Sequence, residues 1–301
     1  MTRKYLTATV ALLAGLLSST ALSAQDLKLY AFSSGALTLG KGYLVNGAPM
    51  EPPIQVPVGF YVVKHPKGNV LFDTGNNDKI ITDPSYWGAA FTALKPVNTP
   101  DVAIDTQLKK IGLTPDDITY VVVSHLHLDH GGNVAKFPKS TLVVQKSEIQ
   151  NFFWPEPGTG SNYVLGDVLP LRGNMTPSAN AVKMLQLDGD LDLFGDGTLV
   201  VKRWVAHTPG SQMVFVQRAD GTEYLFLGDV AWTLRNVEVV RERARLVTQF
   251  FIREDRDAVM LELAELHRIH EAEPNLHIIP GHDAMVLADA LKTGLFIDKF
   301  K

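Results

Sequence analysis

Apolar positions in this chain fall in short runs rather than long helical stripes, and glycine or proline closes most of them. The clearest run is 118–123, where Ile118, Val121, Val122 and Val123 are β-branched and read as a buried strand. Residues 58–63 and 69–72 read as two strands around the turn His65-Pro66-Lys67-Gly68, which leaves His65 facing solvent. The interrupted alternation of 27–39 predicts an edge hairpin, and the proline- and glycine-rich stretch 40–57 a long loop. Residues 102–111 are amphipathic and stop at Gly112, which predicts a helix; a capped turn, 114–117, leads into the central strand. A helical pattern resumes at 133–137, followed by a strand at 141–144 and a helix at 146–153. The second half restates the theme. Strands are predicted at 182–187, 198–205, 213–216, 224–227 and 276–279, with a long helix at 255–271 and a final one from about Asp283. Loops at 76–100 and 154–181 hold Trp87, Phe91, Trp154 and Tyr163, as candidate channel lining or as loop anchors. Strands then helices, twice, with no linker composition between, predict two sheets stacked with helices outside, in one domain.

Composition changes this picture in three places. A charge of −4 without any basic run argues against a nucleic-acid partner. The chain has no cysteine, so disulfides, thiolate ligands and a cysteine nucleophile are excluded together, and any metal must be held by nitrogen and oxygen. Residues 1–24 have a secretory pattern: Arg3 and Lys4, an apolar stretch from Ala8 to Leu17, then small residues up to Ala24. That apolar stretch is short for a membrane span. The expectation is a signal peptide at 1–24, removed to leave a single domain at 25–301, periplasmic or secreted, with no stable membrane insertion.

The candidate chemistry sits where strand 118–123 ends, in Ser124-His125-Leu126-His127-Leu128-Asp129-His130-Gly131-Gly132. Four metal-capable side chains lie within six residues. Residues two apart in an extended loop point the same way, so His125 and His127 can grip one ion; Asp129 and His130 follow the turn and suit a second. Imidazole and carboxylate are ligands that zinc, iron and manganese accept. Three later strand ends repeat the context of apolar strand, polar residue and tight turn: His207 before Pro209-Gly210, Asp229 after Gly228, and His282 after Pro280-Gly281. Seven candidates exceed what one tetrahedral ion takes, and they suit two ions about 3.5–4 Å apart. His125, His127 and His207 would hold the first, Asp129, His130 and His282 the second, with Asp229 bridging. His267, His270 and His277 lie inside a helix or strand and are assigned to core or surface duty. Asp73, at a strand end, is either a turn former or a partner to a ligand histidine.

These residues resemble the metallo-β-lactamase superfamily, whose His-x-His-x-Asp-His signature falls on His125, His127, Asp129 and His130, with the later His, Asp and His on His207, Asp229 and His282. The resemblance runs from about residue 27 to the end. It implies an αβ/βα sandwich, two mixed β-sheets flanked by helices, with a dinuclear site at one edge of the sheets and Asp73 behind a ligand. Within the superfamily the chain is most similar to N-acyl-homoserine lactonases, on Leu71-Phe72-Asp73-Thr74-Gly75, the histidine loop, His207-Thr208-Pro209-Gly210-Ser211-Gln212 and Pro280-Gly281-His282-Asp283. Trp232 stands where those lactonases often carry a tyrosine three residues after the bridging aspartate, which marks it as a pocket residue and reshapes the pocket. The resemblance implies a hydrolase that opens lactone rings; the chemistry expected of such a site is attack by a metal-bridging hydroxide, with Asp129 relaying a proton to the leaving alkoxide. Its cofactors would be two divalent ions, zinc foremost with iron, manganese or cobalt as substitutes. The partner would be a small ester or lactone, and the expected assembly a homodimer. An organophosphate triester hydrolase of the same superfamily is the alternative, and a non-catalytic metal- or ligand-binding protein the second.

Overall fold

The computed structural model describes residues 27–155, 162–172 and 183–296; the predicted signal peptide lies outside the described residues. Strands and helices are numbered in chain order. The first sheet contains β1 (Lys28–Leu39), β2 (Ile54–His65), β3 (Gly68–Phe72), β4 (Ile118–Val122), β5 (Thr141–Gln145) and β6 (Lys183–Leu187), lying side by side in that order. Its first three strands are antiparallel, and β3 to β6 run parallel. The second sheet has the order β11 (Leu276–Pro280), β10 (Glu223–Gly228), β9 (Gln212–Gln217), β8 (Leu199–Arg203) and β7 (Leu191–Asp192). Here β10 and β11 are parallel and the remaining pairs antiparallel. Both sheets are therefore mixed.

Alternation along the strands explains the layers. Val121 and Val123 point into one apolar cluster, while Val122 points into another. The inter-sheet cluster joins Val63, Val70, Phe72, Val122 and Val143 of the first sheet to Val201, Val214, Val216 and Phe226 of the second. The helices, again in chain order, are α1 (Lys41–Leu44), α2 (Ala89–Leu94), α3 (Ile104–Lys109), α4 (Lys146–Phe153), α5 (Leu165–Arg172), α6 (Leu234–Glu238), α7 (Arg256–Ala272) and α8 (Ala284–Lys292). Ile104 and Leu108 of α3, Phe152 of α4 and Val168 of α5 cover the outer face of the first sheet. Val259, Leu263 and Leu266 of α7 cover the second, packing on Leu225, Leu227 and Ile278. The result is the helix–sheet–sheet–helix sandwich that the residue pattern predicts. Among the described residues no helix is long and apolar enough to cross a membrane.

Several local expectations are corrected. Residues 27–39 form one long strand, not a hairpin: Gly35, at φ +112°, lets the register with β2 slip between Ser33 and Ala36 without reversing the chain. The stretch 40–57 is not all loop, because β2 begins at Ile54 and tolerates Pro57 where only β1 pairs with it. Only a single 3₁₀ turn, Val134–Lys136, forms within 133–137. The region 154–181 contains α5, and the loop 76–100 contains α2. His65 does not face solvent. It is buried, stacked at 3.8 Å on the ring of Phe194, with its Nδ1 accepting from the Lys67 backbone N–H. The loop between β7 and β8 folds over the turn that the sequence alone leaves bare.

Candidate metal centre

The parallel strands β3 and β4 end at the same sheet edge, and so do β10 and β11 of the facing sheet, which is where polar residues at strand exits converge. Asp73 follows β3, His125 to His130 follow β4, Asp229 follows β10 and His282 follows β11. Two glycines permit the approach. Gly228 sits at φ +53°, and a Cβ there would lie 2.3 Å from the Ser124 Cβ; a Cβ on Gly281 would lie 2.4 Å from Asp229 Oδ1.

Three ring nitrogens meet at one point. His125 Nε2 and His127 Nδ1 are 2.9 Å apart, and His207 Nε2 is 3.2 Å from the first and 3.1 Å from the second. Tetrahedral coordination at ordinary zinc–nitrogen lengths separates ligand nitrogens by about 3.3 Å. Beside this triangle, Asp229 Oδ1 is 3.1 Å from His130 Nε2 and 3.2 Å from His282 Nε2, and Asp129 Oδ2 is 3.5 Å from His282 Nε2. The other oxygen of Asp229, Oδ2, faces His207 Nε2 at 3.5 Å. One carboxylate thus reaches toward both clusters. His125 with His130 and Asp229, and Asp129 with His130 and His282, form two further groups whose ligand atoms fall within 4.8 Å of one another.

The outer nitrogens of four of the five histidines are engaged. Ser124 Oγ lies 3.0 Å from His125 Nδ1, Asp73 Oδ2 2.8 Å from His130 Nδ1, Glu254 Oε1 2.5 Å from His207 Nδ1, and the Pro57 carbonyl 2.9 Å from His282 Nδ1. Asp73 also accepts from the Ser124 backbone N–H and hydroxyl. With these acceptors taking the Nδ1 protons, four Nε2 lone pairs turn inward. Inside, His130 Nε2 and Asp229 Oδ1 are buried without a hydrogen-bond partner. Unsatisfied inward lone pairs on nitrogen and carboxylate oxygen are what a divalent cation completes, so the residues fit a metal pair.

Electrostatics divide the site. Burial, reinforced by the neighbouring histidines, holds His125, His127 and His207 well below their ordinary value, which favours the neutral form that a metal ion would need. Burial also disfavours charge on His130 and His282, yet Asp229 and Asp129 outweigh it and push both upward. Burial raises Asp129, whereas His130 and His282 overcome burial at Asp229 and hold it well below the carboxylate range. Without metal, the acidic half attracts protons in place of cations.

A cavity of about 310 Å³ opens onto the centre. His127, Asp129, Asp229 and His282 contribute to its polar side; Leu37, Leu94, Leu128, Leu246, Phe251 and Trp232 line the rest. Trp232 donates its indole N–H to Asp229 Oδ2 at 2.6 Å. None of the four loop aromatics singled out in the sequence lines this cavity. Tyr163 instead packs at 4.8 Å from the ring of His127, Trp87 is buried, and Trp154 is 89% exposed. His267 pairs with Glu271 on its own helix, and His277 lies against Tyr224.

Sequence reasoning missed three buried residues behind the site. Glu148 accepts from the Leu126 backbone N–H at 2.8 Å and from Thr208 Oγ1 at 2.6 Å, tying the two ligand loops together. Glu254 holds His207, and Arg243 pairs with Glu254 at 2.8 Å. Nothing in their local sequence marks them, since each acts on a loop distant in the chain.

An αβ/βα sandwich with two histidine–carboxylate clusters at the edge of its sheets defines a metal-dependent hydrolase with places for two divalent ions. The family description "Metallo-beta-lactamase superfamily" matches residues 55–290, and the chain belongs to that superfamily. It is 35% identical to the N-acyl homoserine lactonase AttM of Azorhizobium caulinodans over 69% of this chain and 78% of that protein. Among solved structures it resembles an N-acyl homoserine lactone hydrolase with N-hexanoyl-L-homoserine at its catalytic metal centre, with TM-score 0.71, 22% identity, and 88% and 97% of the two chains covered. It also resembles AidC, a dizinc quorum-quenching lactonase, with TM-score 0.57, 17% identity, and 87% and 90% covered.

Proposed function

We propose that this chain opens lactone rings, N-acyl homoserine lactones first among them, with two divalent ions, zinc foremost. The observation that carries this reading is an apolar cavity whose polar side is made by both ligand clusters, a shape suited to an acyl tail attached to a hydrolysable ring. The AttM lactonase, matched over most of its length, supports it.

In this reading His125, His127 and His207 hold one ion, Asp129, His130 and His282 the other, and Asp229 reaches both. Bound there, the ions supply acidified water as nucleophile and a Lewis acid for the ester carbonyl. The chain's own groups do the rest. Asp73, Ser124, Glu254 and the Pro57 carbonyl fix the orientation of the ligand rings. The apolar wall excludes water around the acyl tail. Asp129, at the cavity surface, is placed to take a proton from the attacking water and hand it to the leaving alkoxide. Trp232, bonded to Asp229, steadies that carboxylate where related lactonases often present a tyrosine. Export is part of the proposal, supported by Arg3 and Lys4 ahead of the apolar stretch and the small residues after it.

Initial rates on acyl-homoserine lactones of several chain lengths, with a paraoxon-type triester and a β-lactam alongside, test the reading. Lactone opening is expected to exceed triester turnover. Triester hydrolysis without lactone opening would move the assignment to the phosphotriesterase alternative, with Trp232 marking a changed pocket.

A further inference from the structure

Behind His207 lies a buried ion pair of which only one member, Glu254, has a part in the proposed chemistry, that of orienting the ring. Arg243 and Glu254 have side chains 0% and 1% exposed and are 2.8 Å apart. Removing two charges from water is expensive, and a buried pair seldom adds net stability over an apolar one of the same shape. What this pair touches gives it a use. Glu254 Oε1 is 2.5 Å from His207 Nδ1. The Arg243 guanidinium donates to the backbone carbonyls of Asp229 and Val230 and lies 4.8 Å from the Trp232 ring. A single side chain thus joins the carboxylate behind one histidine to the loop that carries Asp229 and to the indole bonded to Asp229.

We infer that Glu254 and Arg243 are positioning residues that set the affinity of the ion held by His125, His127 and His207. Glu254 takes the Nδ1 proton of His207 and leaves Nε2 as the donor atom, and Arg243 keeps the carboxylate aimed while fixing the distance from His207 to Asp229. The backbone supports this placement. Arg253 adopts φ +56° just before Glu254, and the Glu254 N–H is bonded to the Thr248 carbonyl at 3.0 Å, so the carboxylate turns inward rather than continuing the preceding helical turn. Glu242, next to Arg243 in sequence, provides a contrast. It is also buried, but it pairs outward with Arg245 and Arg256 and touches no ligand.

The inference rests on the dinuclear reading of the centre but not on the identity of the substrate. The full chain, loaded with zinc, is titrated with a competing chelator while released zinc is counted, for wild type, Glu254→Gln, Arg243→Lys and Glu242→Gln. Circular dichroism establishes that each is folded. Glu254→Gln is expected to weaken one of the two ions by about 10–100-fold and leave the other near its wild-type affinity. Arg243→Lys, which keeps the charge and loses the forked geometry, is expected to weaken the same ion and carries the test if Glu254→Gln does not fold. Glu242→Gln is expected to leave both unchanged. Cobalt-substituted Glu254→Gln should show an altered spectrum for that one ion. Wild-type affinity for both ions in Glu254→Gln or Arg243→Lys would overturn the inference, as would an equal loss in Glu242→Gln. A wild-type chain that binds fewer than two ions would overturn the dinuclear reading and this inference with it.

Discussion

Asp229 has two oxygens with separate surroundings: Oδ1 faces His130 and His282, while Oδ2 faces His207 and accepts from Trp232. Replacing it with alanine removes the one group common to both clusters, and replacing His127 opens the nitrogen triangle. Either change is expected to lower kcat by about a thousandfold or more while far-UV circular dichroism stays that of wild type; substantial activity in either variant would contradict the dinuclear account. Asp167 predicts a different pH signature. Burial pushes its carboxyl from 3.8 up to about 7, against the donors Tyr86 and Asn77. The folded chain therefore keeps a proton that the unfolded chain releases, and this group's contribution to stability is complete below about pH 3.8 and lost as pH rises through about 7. Asp167→Asn should gain Tm relative to wild type as pH climbs from 5 to about 8; parallel Tm profiles would refute it. At this scale the sequence was most legible where chemistry is local. The histidine loop announces itself in six residues, and His207, Asp229 and His282 share a strand-exit context. Glu148, Arg243 and Glu254 do not, because their partners lie far away in the chain and become neighbours only when the sheets face each other.

Strands carry the placement of the site, and their periodicity explains why the β-rich halves could be read. Val121 and Val122 feed opposite cores, a pattern visible in any window of β-branched residues. Irregular elements were less legible. The register slip at Gly35 looks like a turn in sequence, and the turn holding His65 looks exposed until the loop from β7 to β8 covers it. The stretch from Val247 to Ile252 winds as a π-helical turn ending at Arg253 in left-handed backbone, and its side chains Val247, Phe251 and Ile252, with Leu246 before it, form one wall of the cavity. That wall should read acyl length. Phe251→Ala removes apolar contact of about 1–3 kcal/mol for a long tail and little for a short one. The decanoyl-to-butanoyl ratio of kcat/KM is expected to fall about tenfold or more. An unchanged ratio would place the acyl tail elsewhere.

At the scale of the whole molecule, two mixed sheets bring strand exits from both halves of the chain to one edge, so neither half holds a complete site. His125 and His127 need His207, and His130 needs Asp229 and His282. The domain pattern that predicts stacked sheets predicts this convergence. The 310 Å³ cavity was not legible, because its walls come from β1, α2 and the π-helical turn, which touch only in the folded chain. In the proposed reading the convergence also ties metal to stability, since the seven buried side chains would lose their shared partners on removal of the ions. In the proposed function two ions seated among these side chains support lactone hydrolysis. The direct measurement strips the chain with a chelator and then restores zinc in steps, following bound metal, Tm and the rate of lactone opening together. The stripped chain is expected to be inactive with a lower Tm, and to regain full activity as bound zinc reaches about two per chain. Full lactone hydrolysis in the stripped chain, or saturation of the rate at one ion, would contradict it.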